Sequence, residues 1–159
     1  MIPFTKGHGN GNDFVLFIQE RCPESIRDPA FIRRLCDRHT GVGADGVLIL
    51  QNDSESEVDF QLDYFNSDGS WETLCANGSR CAVRLFAREE KKQGWFTLRA
   101  GDGLHRAEIL ENGHIRLQMR PPVYVAEQME VRGFSGRQVD SGAPHFVIEV
   151  SVATEDIAA

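Results

Sequence analysis

The chain has 159 residues, with 24 acidic side chains against 17 basic ones and a net charge of −7. That length fits one domain of ordinary size, and a hydrophobic fraction of 41% with 26% charged residues gives a packed core under a wettable surface. The acidic balance excludes the basic patches expected of nucleic-acid or anionic-membrane binders, and no apolar run approaches the ~20 residues needed to cross a bilayer.

The first residues, Ile2 to Lys6, read as a strand and lack the apolar h-region of a signal peptide, so the cytoplasm is the expected location. In that compartment Cys22, Cys36, Cys75 and Cys81 are expected as reduced thiols. Cys75 and Cys81 are spaced too widely for the usual zinc pair, and no histidine pair completes a site, so no metal is expected. Glycines at 7, 9 and 11 predict a loop over Gly7–Asn12. It is not a dinucleotide fingerprint, because a strand, Asp13–Ile18, follows it rather than a helix. Asn12 closes this loop with a carboxamide that both donates and accepts hydrogen bonds.

Asp28-Pro29 is a helix start, with Asp as N-cap and Pro at the first helical position. Phe31, Ile32, Leu35 and Cys36 share its apolar face, which assigns Cys36 to the core. Arg38-His39 is expected to close the helix on its C-terminal carbonyls. Gly41 and Gly43 then turn the chain into a buried strand, Val47–Leu50. His39 reads as a capping or packing residue, and Asp45 as a turn residue bonding nearby backbone. Residues 51–57 predict an exposed loop.

Val58, Phe60, Leu62 and Tyr64 alternate with polar residues, the pattern of a half-buried strand. It delivers Asn66 to the turn Ser67-Asp68-Gly69-Ser70, whose polar side chains turn chemistry explains. Cys75 follows, just before a helix predicted over Asn77–Gln93 and ended by Gly94. Cys81, Ala82, Leu85 and Phe86 form its buried stripe, which assigns Cys81 to packing. At Cys75, unpaired backbone N–H groups and the helix dipole favour negative charge, which suits a thiolate acting as base or nucleophile. The same position also reads as a structural cysteine at a strand–helix corner.

Beyond Gly94 come Trp95–Arg99 and a hairpin of Leu104–Glu111 with His114–Met119 across Asn112-Gly113, a type I′ signal. Pro121-Pro122 marks a boundary. Val123–Val131, Gln138–Asp140 and Phe146–Val150 read as further strands, with His145 open to a structural or a cleft-lining role.

Four stretches carry more than local structure: Phe4-Thr5-Lys6-Gly7-His8-Gly9-Asn10-Gly11-Asn12-Asp13-Phe14, Arg38-His39-Thr40-Gly41-Val42-Gly43-Ala44-Asp45-Gly46, the run Tyr64 to Cys81, and Ser141-Gly142-Ala143-Pro144-His145. In order and spacing they resemble the first half of diaminopimelate epimerase. The resemblance implies one lobe of a two-lobed fold: an α+β lobe in which a mostly antiparallel, strongly curved sheet wraps a central helix. Residues 1–120 would be that lobe and 121–159 the start of a second. It implies a mechanism without pyridoxal phosphate or any other cofactor. One Cys thiolate removes the α-proton and a second Cys thiol delivers a proton to the opposite face, interconverting L,L- and meso-diaminopimelate for lysine and peptidoglycan synthesis. Cys75 matches one of those bases. Asn12, Asn66, Ala76 and Asn77 fall where the family holds the substrate's carboxylate and amino groups, and Gly46 at another substrate-lining position.

Ala76 replaces a glycine and Ala143 an asparagine of the family's usual pattern, leaving room for a racemase or epimerase of another amino acid, or for a catalytically inactive binding lobe. Family members run to about twice this length, and their second catalytic Cys lies in the part without a counterpart here. The expected partners are therefore the amino-acid substrate and a missing second lobe, whose docking face would otherwise drive self-association.

The chemistry fits the parts. Without an electron sink, α-proton removal beside a carboxylate depends on positioning and electrostatics. A helix N-terminus that clamps the carboxylate while presenting the base supplies both.

Overall fold

Asn10 and Gly11, with φ of 55° and 86°, join two strands in a tight turn rather than an irregular loop. β1 (Thr5–Gly9) pairs antiparallel with β2 (Asn12–Ile18), Gly9 facing Asn12. Two left-handed residues in a two-residue hairpin make a type I′ turn, and Asn-Gly is its favoured pair. Asn12 therefore opens a strand instead of closing a loop. The hairpin belongs to a computed structural model that describes residues 1–53, 57–142 and 144–149. Ala143, Val150 and the Ser151–Ala159 end lie outside the described residues.

The chain divides into two units, Met1–Met119 and Arg120–Ala159. In the first, β3 (Gly46–Gln51), β4 (Phe60–Asn66), β6 (Trp95–Ala100), β7 (Gly103–Ile109) and β8 (Ile115–Leu117) extend the β1–β2 hairpin into one sheet. Its order is β1-β2-β3-β4-β6-β7-β8, with the short β5 (Trp71–Glu72) also paired to β4. The β2–β3 and β4–β6 pairs are parallel and the others antiparallel, so the sheet is mixed. Helix α2 (Ala76–Glu90) packs against β1 and β8, the two ends of that order, as well as β2, β3, β4 and β7. A helix can touch both ends of a sheet only if the sheet curls around it. The lobe is an α+β half-barrel.

Alternation sorts the core into two layers. Phe14, Leu16, Leu48, Leu50, Phe60 and Leu62 face α2 and meet Ala82, Val83 and Leu85. Val15, Phe17, Val47 and Ile49 point the other way, onto Ile26 and helix α1 (Pro29–Cys36). Strands β2 and β3 are thus covered on both faces, as their near-continuous apolar runs require. Asp28 caps α1 by accepting from the Ala30 and Phe31 N–H groups at 2.7 and 3.0 Å. Cys36 is buried in the α1 cluster and Cys81 packs half-buried on α2, both as expected.

Three local expectations give way. Arg38 does not cap α1; its guanidinium is drawn to the carboxylates of Asp13 and Asp45. Helix α2 ends on Lys91, left-handed at φ 51°, rather than at Gly94. Gly94 instead serves the entry to β6, where its carbonyl accepts from the Ile109 N–H. At Asn112-Gly113 only the glycine is left-handed, and Gly113 donates to the Leu110 carbonyl. That is a three-residue hairpin loop with a glycine bulge, not type I′.

In the second unit, β9 (Val123–Tyr124), β10 (Met129–Val131), β11 (Phe134–Asp140) and β12 (Pro144–Val147) form a separate antiparallel sheet. A bend at 126–128 breaks the single strand expected over Val123–Val131. Among its described residues only Gly136 and Val139 are buried, and His145 is exposed on β12. Among the described residues no helix of either unit is long and apolar enough to cross a membrane.

Candidate functional site

Strand register brings three of the predicted residues to one end of the sheet. Phe14 pairs with Gly46 across β2–β3, and Gly46 pairs with Asn66 across β3–β4. Asn12, two residues before Phe14, therefore shares that end with Gly46 and Asn66. Helix α2 starts beneath the same end: a Cβ on Gly9 would sit 2.9 Å from the Asn77 carbonyl oxygen, and one on Gly78 2.9 Å from Leu48 Cδ2. Glycine at 9 and 78 lets the helix start approach the sheet this closely.

Cys75 is the N-cap of α2, in extended conformation. Its Sγ accepts from the Gly78 N–H at 3.4 Å and donates to Asn12 Oδ1 at 3.8 Å. Asn77 Nδ2 donates to the same Asn12 oxygen at 3.3 Å. Cys75, Asn12 and Asn77 thus form one hydrogen-bonded cluster. The Ser79 N–H goes back to the Cys75 carbonyl at 2.7 Å. The N–H groups of Ala76 and Asn77, at the first two helical positions, have no intrahelical acceptor and are available to an anion.

Asn66 stands apart from that cluster. Its Oδ1 accepts from the Tyr64 hydroxyl at 2.5 Å, and its Nδ2 reaches Ser70 Oγ and Glu72 Oε1 at 3.2 and 3.4 Å. Gly46 has no side chain to contribute, but the space its Cβ would take is already filled by the Phe65 carbonyl oxygen and Tyr64 Cε2.

Several residues at the site escaped sequence reasoning. The alternation places Tyr64 only on one face of a half-buried strand, yet its hydroxyl orients Asn66; burial, and after it the Cys75 thiol, pushes its phenol up to about 12. Asp45 was read as a local turn residue. It accepts instead from Asn12 Nδ2 at 2.8 Å and from the Asp13 N–H at 3.0 Å, across the β2–β3 junction. Arg38 spans Asp13 and Asp45 at 2.7 and 2.8 Å, and Lys6 adds a second cation to Asp13 at 2.8 Å. Arg38, with Lys6, holds the Asp13 carboxyl well below the usual carboxylate range against the opposing effect of burial. Arg80 donates to Asn77 Oδ1 from one turn further along α2. The only signal in the sequence was that these residues sit inside the same motifs as Asn12, Gly46 and Asn77.

A groove of about 560 Å³ opens between β1 and α2, lined by Lys6, His8, Arg80, Cys81 and Arg84 among others. It takes in neither Cys75, Asn12 nor Asn66, so this groove and the thiol cluster do not coincide. Burial pushes the Cys81 thiol up, which disfavours that cysteine as an acid–base group. No three His, Cys, Asp or Glu side chains gather into a metal-binding group among the described residues.

The family model described as diaminopimelate epimerase matches residues 4–125. A diaminopimelate epimerase of Aquifex aeolicus (strain VF5) is 40% identical over 92% of this chain and 57% of its own length. An O-ureido-serine racemase of Streptomyces lavendulae is 32% identical over 99% of this chain and 61% of its own. The chain thus spans somewhat over half the length of these relatives. Among solved structures, a hydroxyproline epimerase from Agrobacterium vitis superposes with a TM-score of 0.70 over 92% of this chain and 51% of its own, at 15% identity. At that identity the likeness speaks for the fold alone.

Proposed function

The chain belongs to the diaminopimelate epimerase family, and from that premise we propose that it carries one half of a cofactor-independent amino-acid epimerase site acting on diaminopimelate. The observation that carries this reading is the convergence of Cys75, Asn12 and Asn77 at a helix N-terminus. A substrate carboxylate lies over the Ala76 and Asn77 N–H groups, where the helix dipole offsets charge building up as the α-carbon loses its proton. Asn12 and Asn66 take the amino and carboxylate groups, and Gly46 lets β3 pack closely enough on Tyr64 and Phe65 to hold Asn66 at the site. Cys75 then faces the α-carbon from one side.

Inversion needs a base on one face and an acid on the other. If Cys75 is the thiolate, it takes the α-proton and becomes S–H, while a second thiol gives its proton to the opposite face and becomes the thiolate. The reverse direction exchanges the roles, and no electron leaves the system. Cys22 lies beyond the end of β2 opposite Asn12, Cys36 is buried against α1 and Cys81 lies along the α2 packing face, so none of them serves as the second thiol. It must come from outside the first unit, from the second lobe that residues 121–159 begin. Family membership supports a place in lysine and peptidoglycan synthesis, in the cytoplasm.

The similarity to an O-ureido-serine racemase, with Ala76 in place of the family's usual glycine, supports a second reading in which another amino acid is the substrate. One experiment separates the readings. The purified 159-residue chain is assayed for inversion of the diaminopimelate α-carbon, and Cys75 for protection from alkylation by diaminopimelate and by O-ureido-serine. Protection by diaminopimelate without turnover is expected. Turnover by the lone chain that Cys75→Ser abolishes would refute the two-lobe mechanism. Protection by O-ureido-serine alone would transfer the site to the second substrate.

A further inference from the structure

An asparagine beside a thiol can present either its carbonyl oxygen or its NH2 group, and the two have opposite effects. The oxygen accepts S–H and favours the thiol; the NH2 group donates and favours the thiolate. At Asn12 the choice is made by its other neighbour. Asp45 Oδ2 lies 2.8 Å from Asn12 Nδ2, and an ionised carboxylate can only accept, so the NH2 group must point at Asp45 and Oδ1 at Cys75. Asp45 is itself fixed. Arg38 holds its other oxygen at 2.8 Å, the Asp13 N–H holds Oδ2 at 3.0 Å, and the Asp45 N–H donates to the Asp13 carbonyl at 2.9 Å. Asn77 is locked in the complementary sense: Arg80, which can only donate, takes its Oδ1, so its NH2 group also points at Asn12 Oδ1.

We infer that Asp45 is a positioning residue that sets the hydrogen-bond polarity at Cys75: by fixing the Asn12 carboxamide, it keeps an acceptor on the thiol until a substrate ammonium group claims that oxygen. The inference rests on the reading of Cys75 as an acid–base thiol and adds what controls it. With the lobe empty, Asn12 Oδ1 faces Cys75 Sγ as an acceptor at 3.8 Å. An α-ammonium that donates to Asn12 Oδ1 removes the acceptor, leaving Sγ with the donated Gly78 N–H alone, an arrangement that suits the thiolate. Substrate binding and ionisation of the base are thereby coupled through one carboxamide oxygen.

The test is a double-mutant cycle on the 159-residue chain without ligand. It reads the alkylation rate and ultraviolet thiolate absorbance of Cys75 near neutral pH. Asp45→Ala removes the acceptor that holds the Asn12 NH2 group, leaving only the 3.3 Å bond from Asn77 to oppose a turn of that group to the sulfur. Cys75 alkylation should rise roughly two- to tenfold, the scale of one net hydrogen bond, with a matching gain in thiolate absorbance. Cys36 and Cys81 should keep their parent rates. Asn12→Ala removes the wired group, and on that background Asp45→Ala should add nothing. Asp45→Leu, which keeps the bulk of the side chain without any acceptor, serves if the alanine variant folds poorly and should move Cys75 in the same direction. A full Asp45 effect surviving in the Asn12→Ala background would overturn the proposal, as would a parallel rise at all three cysteines. Failure of ligand protection at Cys75 would instead count against the proposed function, because the cycle needs no ligand.

Discussion

Replacing Gly46 with alanine puts a methyl group where β3 meets the end of β4. Its Cβ would lie 2.5 Å from the Phe65 carbonyl oxygen and 2.7 Å from Tyr64 Cε2. Neither moves aside cheaply. Phe65 is buried beside Asn66, the ladder partner of Gly46, and Tyr64 is tied to Asn66 through its hydroxyl. Overpacking costs about 1–3 kcal/mol, and a clash with backbone belongs at the upper end. Alanine recovers roughly 0.5–1 kcal/mol of the backbone entropy that glycine loses in a strand. The net is a destabilisation of about 2 kcal/mol, or a Tm lowered by about 4–8 °C for a chain of this size. Thermal melting followed by circular dichroism reads the global effect, and the Asn66 amide resonance reads the local one. A Tm within about 1 °C of the parent, with the Asn66 resonance unmoved, would refute the argument that this corner is closed.

Asp28→Ala removes the acceptor for the Ala30 and Phe31 N–H groups and should cost ~1 kcal/mol, seen as a lower urea midpoint at unchanged m. An unshifted midpoint would show that α1 does not depend on its cap. Asp13 is held below the ordinary carboxylate range chiefly by Arg38, so its folded pKa lies under the unfolded value of ~3.9. The unfolded chain then takes up the proton first as pH falls. The stabilisation is complete above that unfolded value and drains away below it, as pH drops towards the folded one. Asp13→Asn should therefore lower stability near neutral pH and flatten its decline below about pH 4. Parallel acid limbs in parent and variant would contradict the assignment.

The elements that could be read from the sequence are those whose pattern is local. Asp28-Pro29 starts α1, the apolar stripe through Ala82 and Leu85 makes α2, and the alternation from Phe60 to Leu62 makes β4. β1 escaped recognition to its full length because its residues are all half-buried or exposed and two of them are glycines, so no alternation marks it. β5, of two residues, is too short to carry a pattern. The left-handed Lys91 and the bend at 126–128 have no local signature either.

The sequence by itself determined that a cysteine stands at the head of the central helix, with Asn12, Asn66 and Asn77 in motifs around it. Only the tertiary structure decided how those groups face one another. The parallel β2–β3 pairing sets Asp45 against Asn12 across 33 residues of chain, and the packing of α2 on the sheet sets Asn12 against Cys75 across 63. A carboxamide is donor at one end and acceptor at the other, so its effect on a thiol depends on which end a distant partner has claimed. That partner is chosen by strand register, and register is a property of the folded sheet.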